Sequence, residues 1–101
     1  MIVKRWQAPK VPDKKQILNM FQAEGLEPYE DLLEPHTEIP YHRHPYDEVR
    51  MVAEGELILD IAGNKLLLRS GDKIIIPSNT KHSKKVQSDS GCLCICANRL
   101  Y

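Results

Sequence analysis

No long run of like charge interrupts this sequence: fourteen Lys and Arg are matched by fourteen Asp and Glu, scattered along the chain. A chain so balanced presents no basic stripe to nucleic acid and no polybasic patch to an anionic membrane, so neither is expected as a partner. Long hydrophobic runs are also missing; the apolar stretches are a few residues long, against the about 20 that a bilayer span requires. Met1–Lys10 carries charge and Trp6 but no apolar segment of the kind a secretory signal contains, so the expected location is the cytoplasm. Repeats and low-complexity segments are absent. Cysteine is confined to Cys92, Cys94 and Cys96. Alternate residues on one strand face lie about 6.5–7 Å apart, at or beyond disulfide reach. The three are therefore expected as reduced thiols in a reducing compartment, packed as small hydrophobes.

The rest of the composition is ordinary globular material. A chain of 101 residues with 42% hydrophobic and 28% charged content suits one domain spanning 1–101, not two. Residues 1–12 read as an extended arm broken by Pro9 and Pro12. Asp13 reads as a helix N-cap, with Gln16 as its capping-box partner. Ile17, Leu18, Met20 and Phe21 then make an apolar stripe, and Gly25 is a C′ residue. A short helix over 13–24 is therefore predicted, covering an edge or mouth of the remaining domain.

From residue 29 the apolar period becomes two. Strands are predicted over Tyr29–Glu34, Ile39–His44, Glu48–Ala53, Leu57–Ala62, Lys65–Arg69, Lys73–Pro77, His82–Gln87 and Cys92–Ala97, with a tight hairpin at Gly63-Asn64. Short strands at this spacing indicate an all-β antiparallel sandwich or barrel over 29–97.

Four histidines occur. His42 and His44 share a face if their segment is a strand. Glu48 follows beyond the Pro45 bend and could turn its carboxylate to the same place, and His82 is the natural distant partner because it opens a strand. Imidazoles plus a carboxylate, with positions left open, suit a divalent transition metal: Fe, Mn, Ni, Zn or Cu. The same residues would also serve as a surface hydrogen-bonding cluster, and spacing does not separate the two readings. Strand parity turns Arg50 and Val52 inward with Glu48, and Lys84 and Val86 inward with His82. A buried Arg50 must pair with Glu48 or another internal acid, or meet an anionic ligand. Lys84-Lys85 also reads as a solvated edge. Trp6, Phe21, Tyr41 and Tyr46 read as packing residues or pocket walls.

Residues 42–55 resemble the first motif of the cupin superfamily: His42-x-His44, three residues, Glu48, six residues, Gly55. Residues 71–82 resemble the second: Gly71, five residues, Pro77, x, Asn79, two residues, His82. The likeness runs over about residues 36–97. It departs at His36 and Asn79, where the motifs carry Gly, and at Val86, where they carry Asn.

The resemblance implies an antiparallel double-stranded β-helix, or jelly-roll barrel, with one short N-terminal helix. It implies a metal held inside by His42, His44, Glu48 and His82. Glu-x-Arg after His-x-His is similar to acireductone dioxygenases, which points to Arg50 beside a small anionic, chelating substrate. The function expected is a metal-dependent enzyme of dioxygenase or isomerase type. A metal-dependent binding or sensing module without catalysis is the alternative. Small cupins commonly pair by adding or exchanging edge strands, so a homodimer is expected, with residues 1–8 as the candidate strand.

Overall fold

The computed structural model describes residues 1–100. In chain order its elements are β1 (Ile2–Lys4), α1 (Lys14–Ala23), β2 (Tyr29–Leu33), β3 (Glu38–His42), β4 (Asp47–Glu54), β5 (Glu56–Ile61), β6 (Asn64–Arg69), β7 (Lys73–Ile76), β8 (His82–Lys85) and β9 (Cys92–Arg99). They form a jelly-roll barrel of two antiparallel sheets, ordered β1-β7-β4-β9-β2 and β3-β8-β5-β6. No described helix is long and apolar enough to cross a membrane.

The start of α1 follows from local chemistry. The Asp13 carboxylate accepts the Gln16 N–H at 2.8 Å, and the Gln16 side chain accepts the Asp13 N–H at 2.9 Å, closing the capping box. Glu24 is the C-cap, and Gly25 follows with φ +79°, the left-handed conformation that ends helices. The helix covers neither edge nor mouth: Ile17 and Phe21 pack on the outer face of the five-stranded sheet, against Val49, Met51, Ala53, Ile95 and Ala97. Burying those two helix side chains contributes about 3–6 kcal/mol.

This cover explains why β4 is buried from Asp47 to Ala53. Val49, Met51 and Ala53 lie under the helix, while Glu48, Arg50 and Val52 face the barrel interior. On β9, Ile95 and Ala97 turn to the helix and the three cysteines turn inward. All three are free thiols. Burial pushes the Cys96 thiol up to about 12, as expected of an inert core residue. An aliphatic cluster fills one part of the interior, with Leu57, Leu59 and Ile61 of β5 meeting Leu68, Ile74, Ile76 and Val86.

Three local expectations change. The extended arm is itself part of the barrel: β1 pairs with β7 of its own chain, and Trp6 lies so close over Gly71 that an added Cβ there would sit 2.7 Å from the Trp6 Cβ. The hairpin loop is Ala62-Gly63, one residue earlier than predicted, because Ile61 pairs with Asn64. Both loop residues have positive φ, 51° and 86°, as a two-residue turn matched to strand twist demands. And β3 ends at His42, with a register irregularity between Ile39 and His42, so His44 stands in the loop beyond it.

Candidate metal centre

The sheets bring the predicted ligands together from opposite sides of the barrel. His42 of β3 and His82 of β8 are directly paired across neighbouring strands, with ring centroids 4.3 Å apart. Glu48 enters from β4 in the facing sheet. His44 arrives from the 43–46 loop, where Asn79 N donates to its carbonyl at 2.6 Å. Asn79 has φ 59°, so it does adopt the left-handed turn that the motif assigns to glycine. The neighbouring turn is further tied to β4 by Ser78 N, which donates to the Asp47 carboxylate at 2.8 Å.

One ligand atom from each of His42, His44, Glu48 and His82 can be chosen so that all lie within 4.8 Å of one another. Nδ1 of His42 is 2.9 Å from the Pro40 carbonyl, and Nδ1 of His82 is 2.9 Å from the Thr80 carbonyl. A carbonyl only accepts, so both rings are protonated at Nδ1. Their Nε2 atoms therefore carry the lone pairs that would bind an ion, the outer-shell arrangement that metal-ligating histidines use. First-row ions hold nitrogen and oxygen at about 2.0–2.2 Å, so a small contraction of this cluster would complete the coordination. The donor set fits a divalent transition ion and leaves two positions of an octahedron open. Glu48 and His82 are buried while His42 and His44 are half-buried, which places the open side toward the histidine pair. Tyr46 stacks on His44 at 4.9 Å and 7°, forming part of the rim.

Two of the ligands are held in the protonation state that a metal needs. Burial pushes the Glu48 carboxyl up, but the adjacent Arg50 and Lys84 cations outweigh it and hold the group well below the usual carboxylate range. Burial lowers the His44 pKa against the opposing pull of Glu48, which favours the neutral imidazole that a metal needs.

Arg50 is buried and doubly paired: Nε donates to Glu48 at 2.8 Å, and Nη2 meets Asp31 at 2.8 Å. Its Nη1 is buried with no hydrogen-bond partner. Lys84 is not a solvated edge; parity placed it correctly. It is buried, with Nζ 3.1 Å from Glu48 Oε2 and 3.3 Å from His82 Nε2. Asp31 is the internal acid that an inward Arg50 called for. Its signal lay in the alternation Tyr29, Asp31, Leu33, where the buried Leu33 marks the inner face. His36 stays away from the site, in a turn with φ 61°, and meets Asp89 at 2.8 Å. Tyr41 is exposed on the outer wall under Lys81 and lines no part of the site.

A family model described as a cupin domain matches residues 30–98. No curated protein matches the chain. Solved structures do. The DMSP lyase DddQ from Ruegeria pomeroyi is 24% identical with a TM-score of 0.66, over 74% of this chain and 38% of that one. TT1209 from Thermus thermophilus is 26% identical with a TM-score of 0.60, over 70% of each chain. A cupin protein from Bacteroides fragilis is 26% identical with a TM-score of 0.58, over 78% of this chain and 73% of that one. The chain thus spans well under half the length of the DMSP lyases it matches.

Proposed function

The chain belongs to the cupin domain family, and from that premise we propose that it holds one divalent transition-metal ion on His42, His44, Glu48 and His82 and uses it as an enzyme of dioxygenase or isomerase type on a small anionic, chelating substrate. The observation that carries this reading is the convergence of four donors from opposite sheets, with two imidazoles already oriented by backbone carbonyls. When bound, the ion would supply Lewis acidity to an oxygen ligand of the substrate.

The charge of the interior supports the anionic substrate. Glu48 and Asp31 balance Arg50 and Lys84. A divalent ion would raise the sum to about +2 in a poorly hydrated space, where uncompensated charge is costly. An anion bound to the ion would offset it. Arg50 would meet that anion through Nη1, which is buried with no hydrogen-bond partner.

The setting we propose is the cytoplasm, in keeping with the three free thiols. The assembly we propose is a homodimer, since the edge strands β1 and β2 leave Ile2, Tyr29 and Leu32 exposed.

Elemental analysis of untagged protein purified without chelator tests the metal, beside a His42→Ala/His82→Ala variant of matched fold. About one equivalent of a transition ion, lost in the variant, is expected. No ion in either, even after reconstitution with Fe(II), Mn, Ni and Zn, overturns the reading. Turnover is tested on the loaded protein with small oxygen-chelating acids, following substrate and dioxygen. Stoichiometric binding without turnover would make the domain a binding or sensing module instead.

A further inference from the structure

Lys84 stands against two of the four candidate ligands. Its Nζ lies 3.2 Å from Glu48 Oε1, 3.1 Å from Glu48 Oε2 and 3.3 Å from His82 Nε2. The side chain is 3% exposed, so the ammonium has no route to bulk water without moving. Because His82 Nδ1 donates to the Thr80 carbonyl, Nε2 carries the only lone pair on that ring. One lone pair serves one acceptance. It goes to the ammonium or to a metal ion, not to both.

An ammonium is a compact cation with three donors, and here it takes up a carboxylate and an imidazole that a metal would also take. We propose that Lys84 is a tethered stand-in for the ion: it engages His82 and Glu48 in the metal-free protein and must yield them when metal binds. This rests on the metal reading above and adds to it the competitor that sets the site's affinity. Lys84 thereby fills two opposed roles. It balances Glu48 inside an apolar barrel while the site is empty, and it repels and obstructs the incoming ion.

The two roles predict changes of opposite sign on removing the charge, which an ordinary structural ion pair would not produce. The test is calorimetric titration of chelator-stripped protein with Co(II), beside the melting temperature of the same metal-free samples. The proteins are the wild type, Lys84→Met, Lys84→Gln and Lys85→Met. Lys84→Gln keeps a hydrogen-bonding side chain should the Met variant fail to fold. Lys85 is the exposed neighbour, and its removal controls for net charge. Expected is a Co(II) affinity about tenfold or more tighter in the Lys84 variants, because a like charge beside the ion is gone. Their metal-free melting temperature should be lower, and Lys85→Met should match the wild type in affinity. Unchanged or weaker binding in the Lys84 variants, with the wild type binding normally, overturns the inference and leaves the metal reading standing. Binding by the Lys84 variants alone supports the competition but overturns a resident metal in the wild type. Failure of every protein to bind overturns both.

Discussion

Arg50 reaches across strand β9 to meet Asp31 on β2 at 2.8 Å, while its Nε holds Glu48, two residues away on its own strand. One side chain therefore spans three neighbouring strands and ties the inner face of the sheet to the carboxylate of the metal centre. Truncating one partner of a buried pair leaves the other charge uncompensated. Arg50→Ala should cost about 3–5 kcal/mol. Asp31→Asn should cost less, since Asp31 is partly exposed and Arg50 keeps Glu48. Urea denaturation of the three proteins checks the order, and a larger loss for Asp31→Asn would sink this account.

Metal loading should be visible as stability. A ligand that binds only the folded state, at a free concentration about 100-fold above its Kd, adds about 2.7 kcal/mol. For a domain of this size that is a rise of roughly 10–20 °C in Tm. Thermal melts with and without Zn(II) or Mn(II) should show it in the wild type and not in His44→Ala.

Stability of the metal-free protein should fall in acid through Glu48. Its folded pKa lies below its unfolded value, so the stabilisation is fully present above about pH 4.5 and is lost as pH falls through the folded pKa. Tm measured in chelator from pH 7 downward should drop on the acid side. In Glu48→Gln the neutral-pH value should be lower and the acid limb shallower. An identical acid limb in both proteins would assign the loss to other carboxylates.

The β5–β6 hairpin carries a removable cost. Ala62 holds φ 51°, a conformation that is unfavourable for a residue with a Cβ and that Asn tolerates better. Ala62→Asn creates Asn-Gly, the favoured pair for this turn, and should raise stability by about 1 kcal/mol. Gly55→Ala should do the reverse and strongly, because Gly55 has φ +89° and an added Cβ would sit 2.6 Å from the Gly91 carbonyl oxygen. Denaturant midpoints check both.

The proposed homodimer is tested by light scattering on a size-exclusion column. Twice the 11.6 kDa chain mass is expected. Leu32→Glu on the exposed β2 edge should shift the dimer toward a single-chain mass.

The sequence by itself determined the helix, whose cap and stop are made by residues within four positions of its ends. It determined which side chains of β4, β8 and β9 face inward, because pleating leaves no freedom beyond parity. The four ligands were legible for the same reason, and because the spacing of the two motifs matches a known barrel. Tertiary structure decided the rest. Which sheet face α1 covers depends on where β4 and β9 lie side by side, two strands far apart in the chain. His44 joins the site although β3 stops at His42, since Asn79 from a remote turn holds its carbonyl. Asp31 finds Arg50 only because β9 sits between their strands. Lys84 turns inward by parity, but its contact with Glu48 exists only because the facing sheet brings that carboxylate against it.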